Sequence, residues 1–237
     1  MYDYIEGKIR IEEIIKNDLE VINNNRLPKS ETLTFNNSYY SWISSIFIDI
    51  RDSSSLFKNN DNIIISKIMK SFTSELIEIL RSGDNMREIG IRGDCVYSIY
   101  TTPYMKDVDD LFTRACYCNT YIKMLNNILS QNNLPAIKVG IGLGVSQTLV
   151  IKAGRKHVGI NDKIWIGDSV IDASNLSSVD NTGPYSSISM SSTFYNNIIE
   201  YEENIKEHLV KEEFNGSYCY SGDIIITDFD NWIRERM

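Results

Sequence analysis

The chain has 237 residues, with 24 Lys or Arg against 32 Asp or Glu, a formal net charge of −8 and a pI near 4.9. That balance repels polyanions and argues against nucleic acid as a partner, while 42% hydrophobic residues are enough to bury a full core. No segment approaches the roughly 20 apolar residues of a membrane span, and residues 1–16 lack the apolar stretch of a secretory leader, so a cytoplasmic location with no membrane partner is expected.

Residues 1–43 read as a separate lead-in. They hold an amphipathic helix over 9–22 and then a polar stretch with Asn23, Asn24, Asn25 and Pro28, suited to a clasp or a dimer element. The body, 44–237, opens with Ile46, Phe47, Ile48 and Ile50, the apolar run of a buried strand interrupted by Asp49. Asp52, Ser53, Ser54 and Ser55 follow as N-capping residues and lead into a helix through Ile64, Ile68, Phe72, Leu76 and Leu80. After Gly83-Asp84-Asn85, strands over 87–92 and 95–100 flank a hairpin tip at Gly93-Asp94. A helix over 108–130 stops before Pro135. Residues 137–145 form a strand whose Gly140, Gly142 and Gly144 predict close backbone approach, with 148–153 as its partner.

A loop over 154–163 then reaches Trp165-Ile166-Gly167-Asp168 and a helix through Val170, Ala173 and Leu176. The last quarter alternates short strands and helices, closing with 223–227 and a helix around Trp232. The order is βαββαβ, an α/β (α+β) chain with a ferredoxin-like core, extra strands and helices, and a C-terminal extension. Tyr39, Tyr40 and Trp42 are expected to pack the lead-in onto this core, and Tyr117 and Tyr121 to form an interface or core stripe. Cys95, Cys116, Cys118 and Cys219 contain no CxxC pair, and neither His157 nor His208 sits beside two cysteines. Reduced thiols and no structural zinc follow.

Two acids occupy special places: Asp49 inside an apolar strand and Asp94 at the tip of a hairpin that would pair with it. In a ferredoxin-like sheet the first and middle strands are neighbours, so both carboxylates reach one end of the sheet. They repel each other unless a cation lies between them, and the hard oxygen donors suit Mg²⁺ or Mn²⁺. Backbone N–H groups around Arg51 to Ser55, at the helix start, favour anions. A buried Asp beside a capped helix would be ordinary structure; two convergent acids point to a site.

These segments resemble the class III nucleotidyl cyclases. Phe47-Ile48-Asp49-Ile50-Arg51-Asp52-Ser53-Ser54 is similar to the first metal motif of that family and Gly93-Asp94-Cys95-Val96-Tyr97 to the second. Val139 to Gly144 resembles its glycine-rich strand, and Ile166 to Ser174 its Gly-Asn/Asp-x-Val-Asn-x-Ala turn and helix. The likeness covers about residues 44–180 in order. The lead-in over 32–40 and the ending over 218–232 further resemble the pyrimidine cyclases of the Pycsar anti-phage systems.

The resemblance implies a catalytic domain over 44–237 in which Asp49, Asp94 and the Ile50 carbonyl hold two Mg²⁺ or Mn²⁺ ions per site. It also implies a homodimer with sites at the subunit interface and a cyclic nucleotide product read by a separate effector. Ser53, Ser54 and Arg51 would serve the phosphates. Departures are as informative. The base-reading Lys and Asp or Thr of purine cyclases are replaced by Gly90 and Ile164, which removes the usual purine recognition. Arg92, two residues before Asp94 and so on the same strand face, would donate to a small base beside the space left at Gly90. Uracil and cytosine both offer acceptors to its five donors, so CTP stays open while the resemblance favours UTP. The alternative for Arg92 is a structural one, an ion pair with Glu88 on the same strand face.

Where the family carries Asn and Arg for the transition state, this chain has Ile171 and Asn175; Asn175 could still touch phosphate. Arg155, Lys156 and Lys163, beside Arg51, are candidate replacement cations or plain surface charges. The activity expected is conversion of UTP to cyclic UMP in anti-phage defence. Production of cyclic CMP, a silent nucleotide-binding domain, and another enzyme on the same scaffold are the rivals.

Overall fold

The computed structural model describes residues 1–155, 159, 161–178 and 186–237. Helix α1 spans Tyr4–Lys16, begun by Asp3, whose Oδ1 accepts from the Ile5 and Glu6 N–H groups. The helix expected over 9–22 is thus shifted and shortened. The β-branched Val21 and Ile22 instead join strand β1 (Glu20–Asn23), which pairs in parallel with the start of strand β2 (Asn37–Ile50). Because β2 is continuous from Asn37, the expected boundary between residues 43 and 44 falls inside one strand. Leu27, Leu33, Tyr39 and Ile43 are buried together, so much of the lead-in is part of the body. Tyr39 packs as expected and Trp42 lies against the main core, whereas Tyr40 is exposed.

Two helices follow where one was expected: α2 (Ser53–Asn59) and α3 (Asn62–Leu80). The interruption arises at Asp61, whose side chain accepts from the Ile63 and Ile64 N–H groups and restarts the helix. The hairpin of β3 (Met86–Arg92) and β4 (Cys95–Thr101) turns at Gly93, φ +65°, where the left-handed backbone suits glycine. Helix α4 spans Met105–Gln131.

Strand β5 (Val139–Gly154) is longer than expected. Residues 148–153 continue it, and its partner at that end is β6 (Asn161–Ile166). No turn forms at Ser146-Gln147 because β2 pairs along the length of β5, from Ser38 opposite Ile151 to Ile50 opposite Val139. Helix α5 (Asp168–Ser177), strand β7 (Ile188–Ser191) and helix α6 (Ser192–Tyr201) follow. Strands β8 (Val210–Phe214) and β9 (Ser217–Gly222) and helix α7 (Thr227–Arg236) complete the described strands and α-helices.

Among the described residues the sheet has nine strands in the order β3-β4-β2-β5-β7-β9-β8, with β1 beside β2 and β6 beside β5. Its first four strands have the ferredoxin-like arrangement. Alternation separates the two faces of the sheet. Ile46, Ile48 and Ile50 of β2 and Ile141, Leu143 and Val145 of β5 are buried in one cluster with Phe72, Leu76 and Leu80 of α3 and Leu111 and Phe112 of α4. The opposite face carries Phe47, Asp49, Tyr97, Gly140, Gly142 and Gly144. There a Cβ at Gly140, Gly142 or Gly144 would lie 2.1, 1.9 or 2.2 Å from the carbonyl oxygens of Ser177, Ala173 or Ser169. The three glycines let α5 lie directly on β5, the close approach read from the sequence.

Candidate active site

The β2 strand delivers Asp49 to the open end of the glycine face, opposite Cys95 on one side and Gly140 on the other. Cys95 directly follows Asp94, so the hairpin tip brings the second carboxylate beside the first. Burial pushes the Asp49 carboxyl up, and the charge of Asp94 pushes it further. A donor at the C-cap of α5 works the other way: the single Ser178 hydroxyl proton is shared between Asp49 Oδ2 at 3.4 Å and the Ser174 carbonyl at 3.1 Å.

Neither Asp49 nor Asp94 forms an ion pair among the described residues, and no group of three His, Cys, Asp or Glu suited to a metal occurs among them. Two mutually repelling carboxylates beside the β2 backbone are hard oxygen donors of the kind that fit a divalent cation such as Mg²⁺ or Mn²⁺. Cys95 is a poor soft-metal ligand here. Burial, with Asp49 and Asp94, pushes its thiol up to about 12. The four cysteines are free thiols. His157 lies outside the described residues.

The chain leaves β2 through Asp52, a left-handed residue at φ +54° whose side chain makes no capping bond, and enters α2 at Ser53. Ser53 and Ser54 thus stand one short turn from Asp49. Arg51 is directed elsewhere: its Nη2 donates to the Ser186 carbonyl at 3.0 Å, it lies near Asp223, and burial lowers its pKa. A cavity of about 290 Å³ opens beside it, lined by Ile50, Arg51, Asp52, Leu56, Ala136, Ile137 and Lys138. The exposed Lys138 is a cation that the sequence reading passed over. Its position just before the glycine strand was the available signal.

Arg92 is exposed at the end of β3 and makes no ion pair among the described residues. The alternative pairing of Arg92 with Glu88 does not form among the described residues, where Glu88 has other partners. Its Oε1 accepts from Tyr97 Oη at 3.0 Å, its Oε2 accepts from Trp165 Nε1 at 2.8 Å, and Lys163 Nζ lies 4.0 Å from Oε2. Lys163 Nζ also donates to the Arg87 carbonyl at 2.8 Å, which commits it to the framework. The space expected at Gly90 is occupied by the Tyr97 ring. Asn175 and Ile171 lie on exposed positions of α5 one turn apart. Arg155 is exposed, and Lys156 lies outside the described residues. Tyr121 is buried and donates to the Ser71 carbonyl at 2.7 Å, while Tyr117 is exposed beside Phe229.

The assembled site is an open acidic strand end, flanked by a helix start and a cavity, on a sheet face with one unpaired arginine. Among the described residues, no helix is long and apolar enough to cross a membrane.

No protein-family model matches the chain. A uridylate cyclase from Treponema porcinum is 47% identical over 238 residues, covering 100% of this chain and 82% of that protein. A uridylate cyclase from Gulbenkiania mobilis is 26% identical over 252 residues, covering 99% and 97%. Among solved structures, the adenylyl cyclase CyaB from P. aeruginosa superposes with a TM-score of 0.63 at 18% identity, over 78% of this chain and 95% of that one. A class III adenylyl cyclase-like ATP-binding protein from Pseudomonas aeruginosa gives 0.67 at 17% identity, over 96% and 48%. These two share the fold.

Proposed function

The chain belongs to the uridylate cyclase family, built on the class III cyclase fold, and on that premise we propose that it converts UTP to 3′,5′-cyclic UMP and pyrophosphate. The observation that carries the proposal is the convergence of Asp49 and Asp94 with no ion pair to either among the described residues. In the reaction the ribose 3′-oxygen attacks the α-phosphorus in line, the bond from that phosphorus to the bridging oxygen breaks, and the 3′-hydroxyl proton is released.

Asp49, Asp94 and the Ile50 carbonyl would hold two Mg²⁺ or Mn²⁺ ions. Bound there, the ions would supply polarisation of the attacking oxygen and neutralisation of phosphate charge. Ser53 and Ser54 present N–H groups to the phosphates, and the exposed Lys138 adds a cation from the adjoining cavity. Arg51 acts by positioning, tying the end of β2 to Ser186. Asn175 reaches the phosphate from α5. Holding substrate and charge in place provides most of the acceleration.

Arg92 donates to the carbonyl oxygens of the base. Arg92→Ala should raise KM for UTP about tenfold, the scale of one charged hydrogen bond, with little change in thermal stability. Steady-state kinetics beside a melting curve checks this, and an unchanged KM would leave Arg92 without a role.

The working unit is a homodimer with its sites at the subunit interface, and α1 is the clasp. Ile11, Ile14 and Ile15 of that helix are 56%, 61% and 76% exposed, and a 13-residue helix is marginal alone in water. Removing residues 1–17 should shift the protein towards monomer in light scattering and lower activity in proportion. A truncated chain that stays fully dimeric would assign the clasp elsewhere. The product serves anti-phage defence through a separate effector, a role supported by the likeness to the Pycsar cyclases.

A silent domain is the second reading, favoured by Ile171 standing exposed on α5 where the family has Asn. Incubation with Mn²⁺ and each of ATP, GTP, CTP and UTP, read by mass spectrometry, decides. Cyclic UMP supports the proposal, cyclic CMP keeps the chemistry and changes the base, and no product favours the silent domain.

A further inference from the structure

Gly90 and Tyr97 face each other across β3 and β4. A Cβ on Gly90 would lie 2.6 Å from Tyr97 Oη and 2.7 Å from two of its ring carbons, so the ring rests directly on the Gly90 backbone. Phe47 stacks against it from β2, with ring centroids 5.2 Å apart and planes 16° from parallel. Its hydroxyl is held by Glu88, whose other carboxylate oxygen is held by Trp165 from β6, 77 residues away in sequence. Burial and Glu88 push the Tyr97 phenol up to about 12, so it remains a neutral donor in this bond. Arg92, opposite Cys95, is two residues along β3 from Gly90 and so starts on the same face as Tyr97. Ring and guanidinium therefore border one patch of the exposed face.

We propose that Tyr97 is a specificity-determining residue: its ring, seated on Gly90 and positioned by Glu88, closes the base site at the depth of one six-membered ring, so that pyrimidines reach Arg92 and purines do not. The inference rests on the reading of Arg92 as the base contact. Steric rejection of a larger ligand needs a wall that does not yield, and three independent contacts hold this one. Glu88 is a positioning residue, acting on the base through Tyr97.

The test uses the full chain as wild type, Tyr97→Ala, Tyr97→Leu and Glu88→Gln. Each is assayed with Mn²⁺ and UTP, CTP, ATP or GTP, and each is measured for equilibrium binding of UTP and ATP with Ca²⁺ replacing Mn²⁺. Tyr97→Leu keeps apolar contact with Phe47 and decides the matter if Tyr97→Ala fails to fold. The expected result is a fall of at least tenfold in the UTP-to-ATP ratio of kcat/KM, through gained ATP turnover, and a smaller fall in Glu88→Gln. A folded Tyr97→Leu protein with the wild-type ratio would overturn the inference, as would equal loss towards all four nucleotides. If wild type cyclises nothing, the proposed activity fails by itself. The binding ratio then judges Tyr97: a wild-type preference for UTP that Tyr97→Leu abolishes supports it, and equal wild-type affinity for UTP and ATP overturns it.

Discussion

Asp49→Ala and Asp94→Ala each lower kcat/KM for cyclic UMP formation on the order of 10³-fold, the scale seen when one charge-stabilising group is removed from a preorganised site, while the protein stays folded. Loss of either acid would halve the carboxylate charge available to the proposed metal ions. A rate within tenfold of wild type in either variant would remove the acids from the mechanism.

The same pair makes a thermodynamic prediction of opposite sign. Burial and then Asp94 raise the Asp49 carboxyl above its ordinary value, so the native state holds that proton more tightly than the unfolded chain. Its stabilising contribution is complete at low pH, where both states are protonated, and is lost as pH rises through the raised native value. At neutral pH without metal the ionised group costs stability. Asp49→Asn should therefore raise Tm in chelator, on a scale of about 2–4 °C per kcal/mol for a domain of this size. Added Mn²⁺ should raise the wild-type Tm and leave the variant unmoved. A lower Tm for Asp49→Asn in chelator would contradict the electrostatic account.

Gly142→Ala is the second large effect. The new methyl would sit 1.9 Å from the Ala173 carbonyl oxygen and 2.5 Å from the Ser177 nitrogen, both backbone atoms of α5. No rotamer relieves such a contact, so the helix must lift from β5. The expected cost is at least about 1–3 kcal/mol, the range for overpacked cores, and activity falls with it because α5 carries Asn175 and its C-cap is Ser178. Denaturant melts and kinetics on one preparation check both. Wild-type stability would mean that α5 does not rest on the strand backbone.

The parts of the site legible in the sequence are those written in local pattern. An acid interrupting Ile46 to Ile50 marks a carboxylate at a buried strand, Gly93-Asp94 marks a hairpin tip, and Gly140, Gly142 and Gly144 mark a bare strand face. Strand alternation alone places Asp49 on the same face as those glycines. The elements misjudged were those whose ends depend on capping or pairing. Asp3 and Asp61 start helices by bonding backbone groups nearby, and β2 prolongs β5 past the point where its own composition suggested a turn.

By itself the sequence determined the ferredoxin-like order, the two acids at one strand end and the family to which they belong. Only the tertiary structure decided where the long polar and aromatic side chains go. Arg51 turns to Ser186, 135 residues away. Lys163 reaches Arg87, 76 away, and Glu88 holds Tyr97 and Trp165 rather than Arg92. Periodicity fixes the face on which a side chain starts, because it is a property of neighbouring backbone dihedrals. Where a flexible side chain ends depends on which donors and acceptors the folded chain brings within about 3 Å, and those partners lie outside any local window of sequence.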